Sequence, residues 1–315
     1  MTLFPAMPTA DFSPWQLGAP LYMPAHRLDL IDCANGDKLP FLRSMIFCTE
    51  DAVSHDEVDS SLRHLDLCMQ NFRPVSGKYR FIRARNPDIL ARLLAKPAIG
   101  NIDGFVLPKL TLANFNAYFD QLSGTPFKIM PTLETQEVFD YGAMCELRGA
   151  FLQASILPHI TLLRIGGNDL MNLLGIRRPR GMTLYETPLG PVIAQLLAIF
   201  RPYGFALAAP VFEYLDDTAT LHREIRQDLA YGLTGKTAIH PSQVPFIETA
   251  YAVDSDDAQM AASLCAKDAP AVFKMHGAMC EVATHQRWAV DIRQRQKCYG
   301  VKITGFKEEY TGLSA

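Results

Sequence analysis

A chain of 315 residues that is 49% hydrophobic and 20% charged, with a formal net charge of -3, has ample material for a large buried core. The slightly acidic total argues against nucleic-acid binding. The short basic spot at Arg177, Arg178 and Arg180 is too small to outweigh it and is expected to line a pocket or solvate a loop. No membrane span is expected, since the longest apolar run, Gly190 to Phe200, falls short of the roughly 18 residues needed. Seven scattered cysteines without metal-type CxxC spacing argue against a disulfide framework and for a reducing compartment, most simply the cytoplasm.

In chain order, the opening MTLFPAMPTADFSPW lacks a basic n-region and its apolar run is broken by Pro5 and Pro8, so it does not read as a secretory signal. The Pro-rich start, through Pro20, predicts an extended arm. Eight short apolar segments then recur at fairly even intervals and read as buried strands: Leu21 to Met23, Ser44 to Thr49, Tyr79 to Ala84, Gly104 to Pro108, Lys128 to Leu133, Leu162 to Ile165, Ala206 to Pro210 and Lys236 to Ile239. Helical patterns lie between them, as at Val58 to Met69, Thr187 to Phe200 and Asp216 to Tyr231. Strand and helix alternating eight times predict a parallel (β/α)8 TIM barrel over residues 1–250 with an N-terminal arm. Residues 251–315 predict a C-terminal helical extension or lid, packed outside the barrel or reaching over a neighbouring subunit.

The groups suited to chemistry sit at the predicted strand ends, where such barrels place their sites. In LLRIGGNDLMNLLG, Gly166 and Gly167 permit a sharp exit from the strand, Asn168 is a good helix cap, and Asp169 is either a second cap or a functional carboxylate. Glu134 holds the equivalent post on the preceding unit, 35 positions earlier (169 minus 134). Two carboxylates on neighbouring strand ends suit Mg²⁺ or Mn²⁺, which typically takes one or two protein carboxylates and leaves positions for substrate oxygens.

Arg83 and Arg85 fall on one face of RFIRARNP by strand alternation, placed to clamp a carboxylate, stabilise an enolate oxygen or pair with a rim acid such as Glu50 or Asp51. Of Glu50 and Asp51, one is expected to face the pocket and the other to cap the helix containing Val58. Lys109 can bind a substrate anion, whereas a Schiff-base role needs a depressed pKa. His240 reads as a core or rim histidine.

Together these segments resemble the citrate lyase beta-subunit-like branch of the HpcH/HpaI aldolase family. LYMPAHR is similar to its opening LFVPGxR, FCTEDAV to LDLEDAV, IRARNP to the RVN strand and DGFVLPK to DGIVLPK. PTLET is similar to the IET segment, LRIGGNDLMNLLG to GxxDLxxxLG, and GLTGKTAIHPSQ to GFxGKxxIHPxQ. The chain departs from the pattern at Ala25, at Cys48 and in the extra arginine, Arg85.

The resemblance implies a (β/α)8 barrel with a Mg²⁺ site that makes or breaks a carbon-carbon bond next to a carbonyl. Glu134 and Asp169 match its metal ligands, Arg83 its strand arginine and Glu50 the acid of EDAV. Arg85, Lys109, Gly166 and Gly167 are expected to border the substrate. It further implies that Glu281, in GAMCE, stands where members acting on coenzyme A thioesters lend an acid to the adjacent subunit, in a homotrimer or a dimer of trimers. The expected activity is a Mg²⁺-dependent lyase acting on a 2-oxo acid or acyl thioester through a metal-stabilised enolate. The alternatives are an acyl-CoA thioester hydrolase on the same site and a non-catalytic ligand-binding barrel.

Overall fold

The structure is a computed structural model and describes residues 12–302. The chain divides into two compact units, Met1–Ala250 and Tyr251–Ala315.

In the first unit the apolar segments become seven strands: β1 (Leu21–Pro24), β2 (Ser44–Cys48), β3 (Tyr79–Arg83), β4 (Gly104–Leu107), β5 (Lys128–Leu133), β6 (Leu163–Ile165) and β7 (Leu207–Ala208). They pair in sequence order, each with its neighbour and all parallel. Every residue of β2, β4, β6 and β7 is buried, because one face meets the lumen and the other the surrounding helices.

Those helices are α1 (Leu30–Asn35), α2 (Val58–Met69), α3 (Pro87–Leu94), α4 (Leu112–Leu122), α5 (Tyr141–Phe151), α6 (Gly167–Leu173), α7 (Leu189–Phe200), α8 (Thr218–Ala230) and α9 (Gln243–Ala250). The stripe Val58, Ser61, Leu62, Leu65, Cys68 and Met69 is the buried face of α2, as its spacing predicts. At the start of α3, Pro87 takes the first turn and the Asn86 side chain accepts from the Ile89 amide at 2.9 Å.

The eighth barrel position departs from expectation. Residues 236–239 form no strand; isolated parallel bridges Ala209↔Lys236 and Leu21↔Ala238 close the ring instead. The Ala209 amide donates to the Gly235 carbonyl and the Ala238 amide to that of Pro20, so the ladder skips from one side of the gap to the other. Gly235, at φ +96°, breaks the run. Just before it, β7 is only two residues long and is followed by Pro210, which has no N–H to give.

Leu17, Ile46, Phe81, Val106, Met130, Leu162 and Ala208 form one buried cluster in the lumen. The two-residue period of a strand carries Cys48, Arg83, Thr132 and Arg164 onto the same inward faces, one layer nearer the carboxyl ends. Leu17 belongs to a short 3-10 turn, Pro14–Leu17, in which Trp15 is also buried. The expected extended arm is therefore, from Pro14 onward, a packed segment under the barrel; residues 1–11 lie outside the described residues.

A buried polar strut joins α8 to the barrel wall. Lys236 Nζ donates to Glu224 Oε1 at 2.7 Å and Asp228 Oδ2 at 3.0 Å, Arg178 Nη1 donates to Glu224 Oε2 at 2.6 Å, and the Tyr185 hydroxyl donates to Asp228 Oδ1 at 2.6 Å. Arg178 also pairs with Glu213 at 3.0 Å. Far from solvating a loop, Arg178 is 1% exposed. A buried guanidinium loses its hydration and needs compensation, which two carboxylates supply here.

The second unit contains β8 (Val253–Asp254), α10 (Ser255–Leu264), β9 (Val272–Met275), β10 (Ala278–Glu281), α11 (Val282–Tyr299) and β11 (Val301–Lys302). β8 and β11 pair in parallel, and β9 and β10 form a hairpin turned by His276 and Gly277, both at positive φ as a tight two-residue turn demands. Val253, Ala258, Ala261, Leu264, Cys280, Ala289 and Ile292 make its core. The hairpin escapes a purely helical reading of this region. Among the described residues no helix is long and apolar enough to cross a membrane. None of the seven cysteines forms a disulfide bond.

Candidate active site

Five consecutive strand ends bring their polar residues to one mouth of the barrel. Arg83, the last residue of β3, is the hub. Its Nη2 donates to Glu134 Oε1 at 2.9 Å, forms an ion pair with Glu50 Oε2, and lies 3.5 Å from Asp51 Oδ2. Its Nη1 donates to the Tyr22 hydroxyl at 3.3 Å, and the guanidinium lies 5.7 Å from the centroid of that ring. Among the described residues, Arg83 Nε has no acceptor.

Lys109, just past β4, holds φ at +49°, a conformation costly for a side chain with a Cβ. That backbone twist accompanies a backbone amide that donates to Glu134 Oε1 at 2.9 Å, while Nζ donates to Glu50 Oε1 at 2.6 Å and lies 3.5 Å from Asp51 Oδ1. Glu134 is 2% exposed. Both of its donors fall on Oε1, and Oε2 is turned toward β6.

The space for Glu134 comes from Gly166. A Cβ there would lie 2.3 Å from Glu134 Oε2 and 2.4 Å from Glu134 Cβ; at Gly167 one would lie 2.7 Å from Pro210 Cβ. Neither glycine is left-handed, so both are needed for close approach rather than for an unusual turn.

Gly166, not Asn168, is the cap of α6. No side chain caps this helix, Asn168 is exposed, and Asp169 sits in the first turn, where the helix dipole favours a carboxylate. The expected division of labour between Glu50 and Asp51 also differs. Asp51 caps nothing, because Ser54 and Glu57 form the capping box of the turn leading into α2; both acids face Arg83 and Lys109.

Burial, opposed by Arg83 and reinforced by the charge of Asp169, pushes Glu134 up to about 7. Burial likewise raises Glu50 against the pull of Arg83 and Lys109. Burial also opposes the Lys109 ammonium, but Glu50, Asp51 and Asp169 more than offset it and its pKa rises. Lys109 is thus a fixed cation, which disfavours the Schiff-base role. Cys48, where the related motif starts with Asp, is a thiol held neutral by burial.

A divalent, oxygen-seeking cation fits this arrangement. Among the described residues Glu134 Oε2 accepts no hydrogen bond while Oε1 is fixed by two donors, Asp169 is close enough for its charge to act on Glu134, and Gly166 leaves room for the carboxylate. Among the described residues no trio of His, Cys, Asp or Glu is gathered for a metal. Two carboxylates with open positions correspond to Mg²⁺ or Mn²⁺ rather than to a closed thiolate or imidazole cage.

Arg85 and His240 do not join the Arg83 hub. Arg85 lies beyond the end of β3, and its Nη1 donates to the Val53 carbonyl at 3.1 Å, away from the Arg83 hub. His240 is exposed, with Nδ1 2.8 Å from Ser242 Oγ. Glu281 ends β10 in the second unit, where its amide donates to His285 Nδ1 at 3.0 Å and Thr284 Oγ1 donates to its Oε2 at 3.3 Å. Sequence reasoning passed over Tyr22 and Arg164. The available signal for Arg164 was an arginine inside an apolar strand, two residues before Gly166.

The closed parallel barrel and the acids and cations at its mouth define a class. The chain belongs to the family of carbon-carbon bond lyases of the TIM-barrel fold, which matches residues 11–301. The expected barrel and the expected carbon-carbon lyase are both borne out by this match.

Among its relatives is a (3S)-malyl-CoA thioesterase of Cereibacter sphaeroides, 26% identical over 247 residues, 76% of this chain and 79% of the relative. The human mitochondrial citramalyl-CoA lyase is 27% identical over 161 residues, 48% of this chain and 42% of its own. The fold is shared with a citrate lyase from Burkholderia xenovorans LB400 (TM-score 0.68, 18% identity, 92% of this chain and 94% of that one). It is also shared with CitE from Mycobacterium tuberculosis in complex with magnesium, acetoacetate and coenzyme A (TM-score 0.65, 20% identity, 90% and 99%).

Proposed function

We propose that this lyase is Mg²⁺-dependent, with Mn²⁺ as a substitute, and that it cleaves or forms a carbon-carbon bond in a 2-oxo acid or acyl thioester. One observation carries the reading: Glu134 is fixed through Oε1 by Arg83 and the Lys109 amide, and its Oε2 is left free beside Gly166 and near Asp169. The CitE structure containing magnesium and coenzyme A supports the choice of ion and substrate class.

Glu134 and Asp169 would hold the ion, which supplies Lewis acidity to a substrate carbonyl and counter-charge for an enolate. Arg83 stabilises the enolate oxygen as the bonding pair of the broken bond moves onto it, with Nε as its unengaged donor. Glu50 and Tyr22 hold that guanidinium in place. Lys109 favours the ionised form of Glu50 against burial, and its backbone amide orients Glu134. As the other fragment becomes a carbonyl its hydroxyl proton is released, and the carbanionic carbon takes up one proton in turn; we assign delivery of that proton to Glu281 from an adjacent subunit of a homotrimer or dimer of trimers, so the proton count is unchanged. The free cysteines support a reducing, cytoplasmic setting.

Titration of Mg²⁺ into the protein tests the site. Glu134→Gln and Asp169→Asn should each abolish measurable binding, and unchanged binding in either variant would refute it. The malyl-CoA thioesterase relative favours a second reading, in which the thioester product is hydrolysed. Mass spectrometry of products distinguishes the two, since a lyase alone returns an intact thioester.

A further inference from the structure

Arg164 is the second buried arginine of the lumen and differs from the first in its company. On β6 it pairs in register with Thr132 of β5 and Ala208 of β7. It is 4% exposed, yet among the described residues no carboxylate lies within ion-pair distance of it. Its Nη2 donates to Thr237 Oγ1, its guanidinium lies 5.2 Å from the centroid of the Tyr22 ring, and its Nη1 has no acceptor. Thr132 Oγ1, on the neighbouring strand and the same inward face, is also buried, with no partner among the described residues. Arg83 contacts that same Tyr22 ring.

A buried, unpaired guanidinium is expensive, because it loses hydration and gains no counter-charge. Buried arginines elsewhere in this protein are held by several acceptors: Arg178 by two carboxylates, Arg80 by the Ala34, Arg73 and Asn101 carbonyls, and Arg295 by the Tyr251 and Ala252 carbonyls, whereas Arg164 has one hydroxyl. The charges at the mouth show what Arg164 lacks. Glu50, Asp51, Glu134 and Asp169 are four acids facing two cations, Arg83 and Lys109. A divalent ion would be held by acids of that set, which leaves Arg164 with no carboxylate of its own among the described residues.

We propose that Arg164 Nη1 and the Thr132 hydroxyl form an anion socket in the floor of the site that receives one carboxylate of the substrate. The substrate therefore carries an unesterified carboxylate that enters the lumen ahead of the reacting carbonyl, whatever group is joined at its other end. A guanidinium edge and a hydroxyl on adjacent strands are complementary to the two oxygens of a carboxylate. A neutral acyl chain would leave both groups unsatisfied, so the socket also selects against substrates lacking the acid. The inference deepens the lyase reading and depends on it for the identity of the reacting carbonyl, but not for the existence of the socket.

Pyruvate, with its neutral counterpart pyruvamide, is the probe. Binding of each is measured calorimetrically to the wild type, Arg164→Gln, Arg164→Lys and Thr132→Val, with Mg²⁺ and separately with EDTA, and circular dichroism establishes that each variant is folded. Arg164→Gln should weaken pyruvate binding by about tenfold or more without a matching loss for pyruvamide. Arg164→Lys should recover part of that loss, and Thr132→Val should weaken pyruvate several-fold. If Arg164→Gln does not fold, the near-isosteric Thr132→Val carries the test.

Mg²⁺ affinity is read in the same titrations. A wild type that fails to bind Mg²⁺ but still loses pyruvate in the Arg164 variants sinks the metal reading and keeps the socket. Pyruvate affinities within about twofold of wild type in folded variants, or equal losses for pyruvate and pyruvamide, overturn the socket and assign Arg164 to barrel packing.

Discussion

Glu134 and Gly166 occupy adjoining strand ends so closely that a methyl group on Gly166 would fall 2.3 Å from Glu134 Oε2 and 2.4 Å from Glu134 Cβ. The second distance is the stricter one, because Cβ is tied to the β5 backbone and cannot swing aside. Gly166→Ala should therefore push the carboxylate off its two donors. The expected result is a loss of Mg²⁺ affinity of about 10- to 100-fold, the range for disturbing the supports of a metal ligand. Calorimetry on a variant with a native circular dichroism spectrum checks it.

Lys109 combines a strained backbone with a useful side chain, and two substitutions separate them. Lys109→Ala and Lys109→Gly both remove the contact of Nζ with Glu50. Only glycine relieves the positive φ. In urea denaturation the glycine variant should be the more stable of the two by about 1 kcal/mol, and both should lose turnover.

The lumen cluster predicts a cavity cost. Leu162 is 2% exposed and packs with Ile46, Phe81, Val106 and Met130. Leu162→Ala should destabilise the barrel by about 2–5 kcal/mol in chemical denaturation.

The strut under α8 predicts a pH signature. Glu213, Glu224 and Asp228 outnumber Arg178 and Lys236 by one charge, and burial, against the pull of Lys236, raises Asp228 from 3.8 to about 6. Between those values the folded protein holds a proton that the unfolded chain has released. The stability tied to that proton is full below about 4 and is lost as pH rises through about 6. Asp228→Asn has no proton to lose. Its stability relative to wild type should therefore rise between pH 4 and 6 and level off above, as read by urea midpoints across that range.

The alternation of apolar runs and helical stripes was enough to define a barrel, because strands buried on both faces and helices buried on one have different periods. It was not enough to define where pairing fails. The closing position depends on Gly235 and Pro210 acting together, and a four-residue apolar run looks the same whether or not its neighbours can complete a ladder. The acids at the strand ends were legible from their spacing. The choice between Arg83 and Arg85 was not, because strand alternation puts both on one face and only the end of β3 separates them. Asn168 looked like a cap because Asn usually is one; the close approach of Glu134 instead fixes glycine at that post. Arg164 was hidden by the assumption that a strand interior is structural.

Leu17, stacked among the inward side chains just before β1, seals the amino-terminal end of the cylinder like a stopper. That end of the lumen is therefore filled by apolar side chains. If the proposed socket holds one substrate group at the bottom of that blind tube, the deeper-seated molecule should arrive first and depart last, and product-inhibition patterns should be those of compulsory-order kinetics.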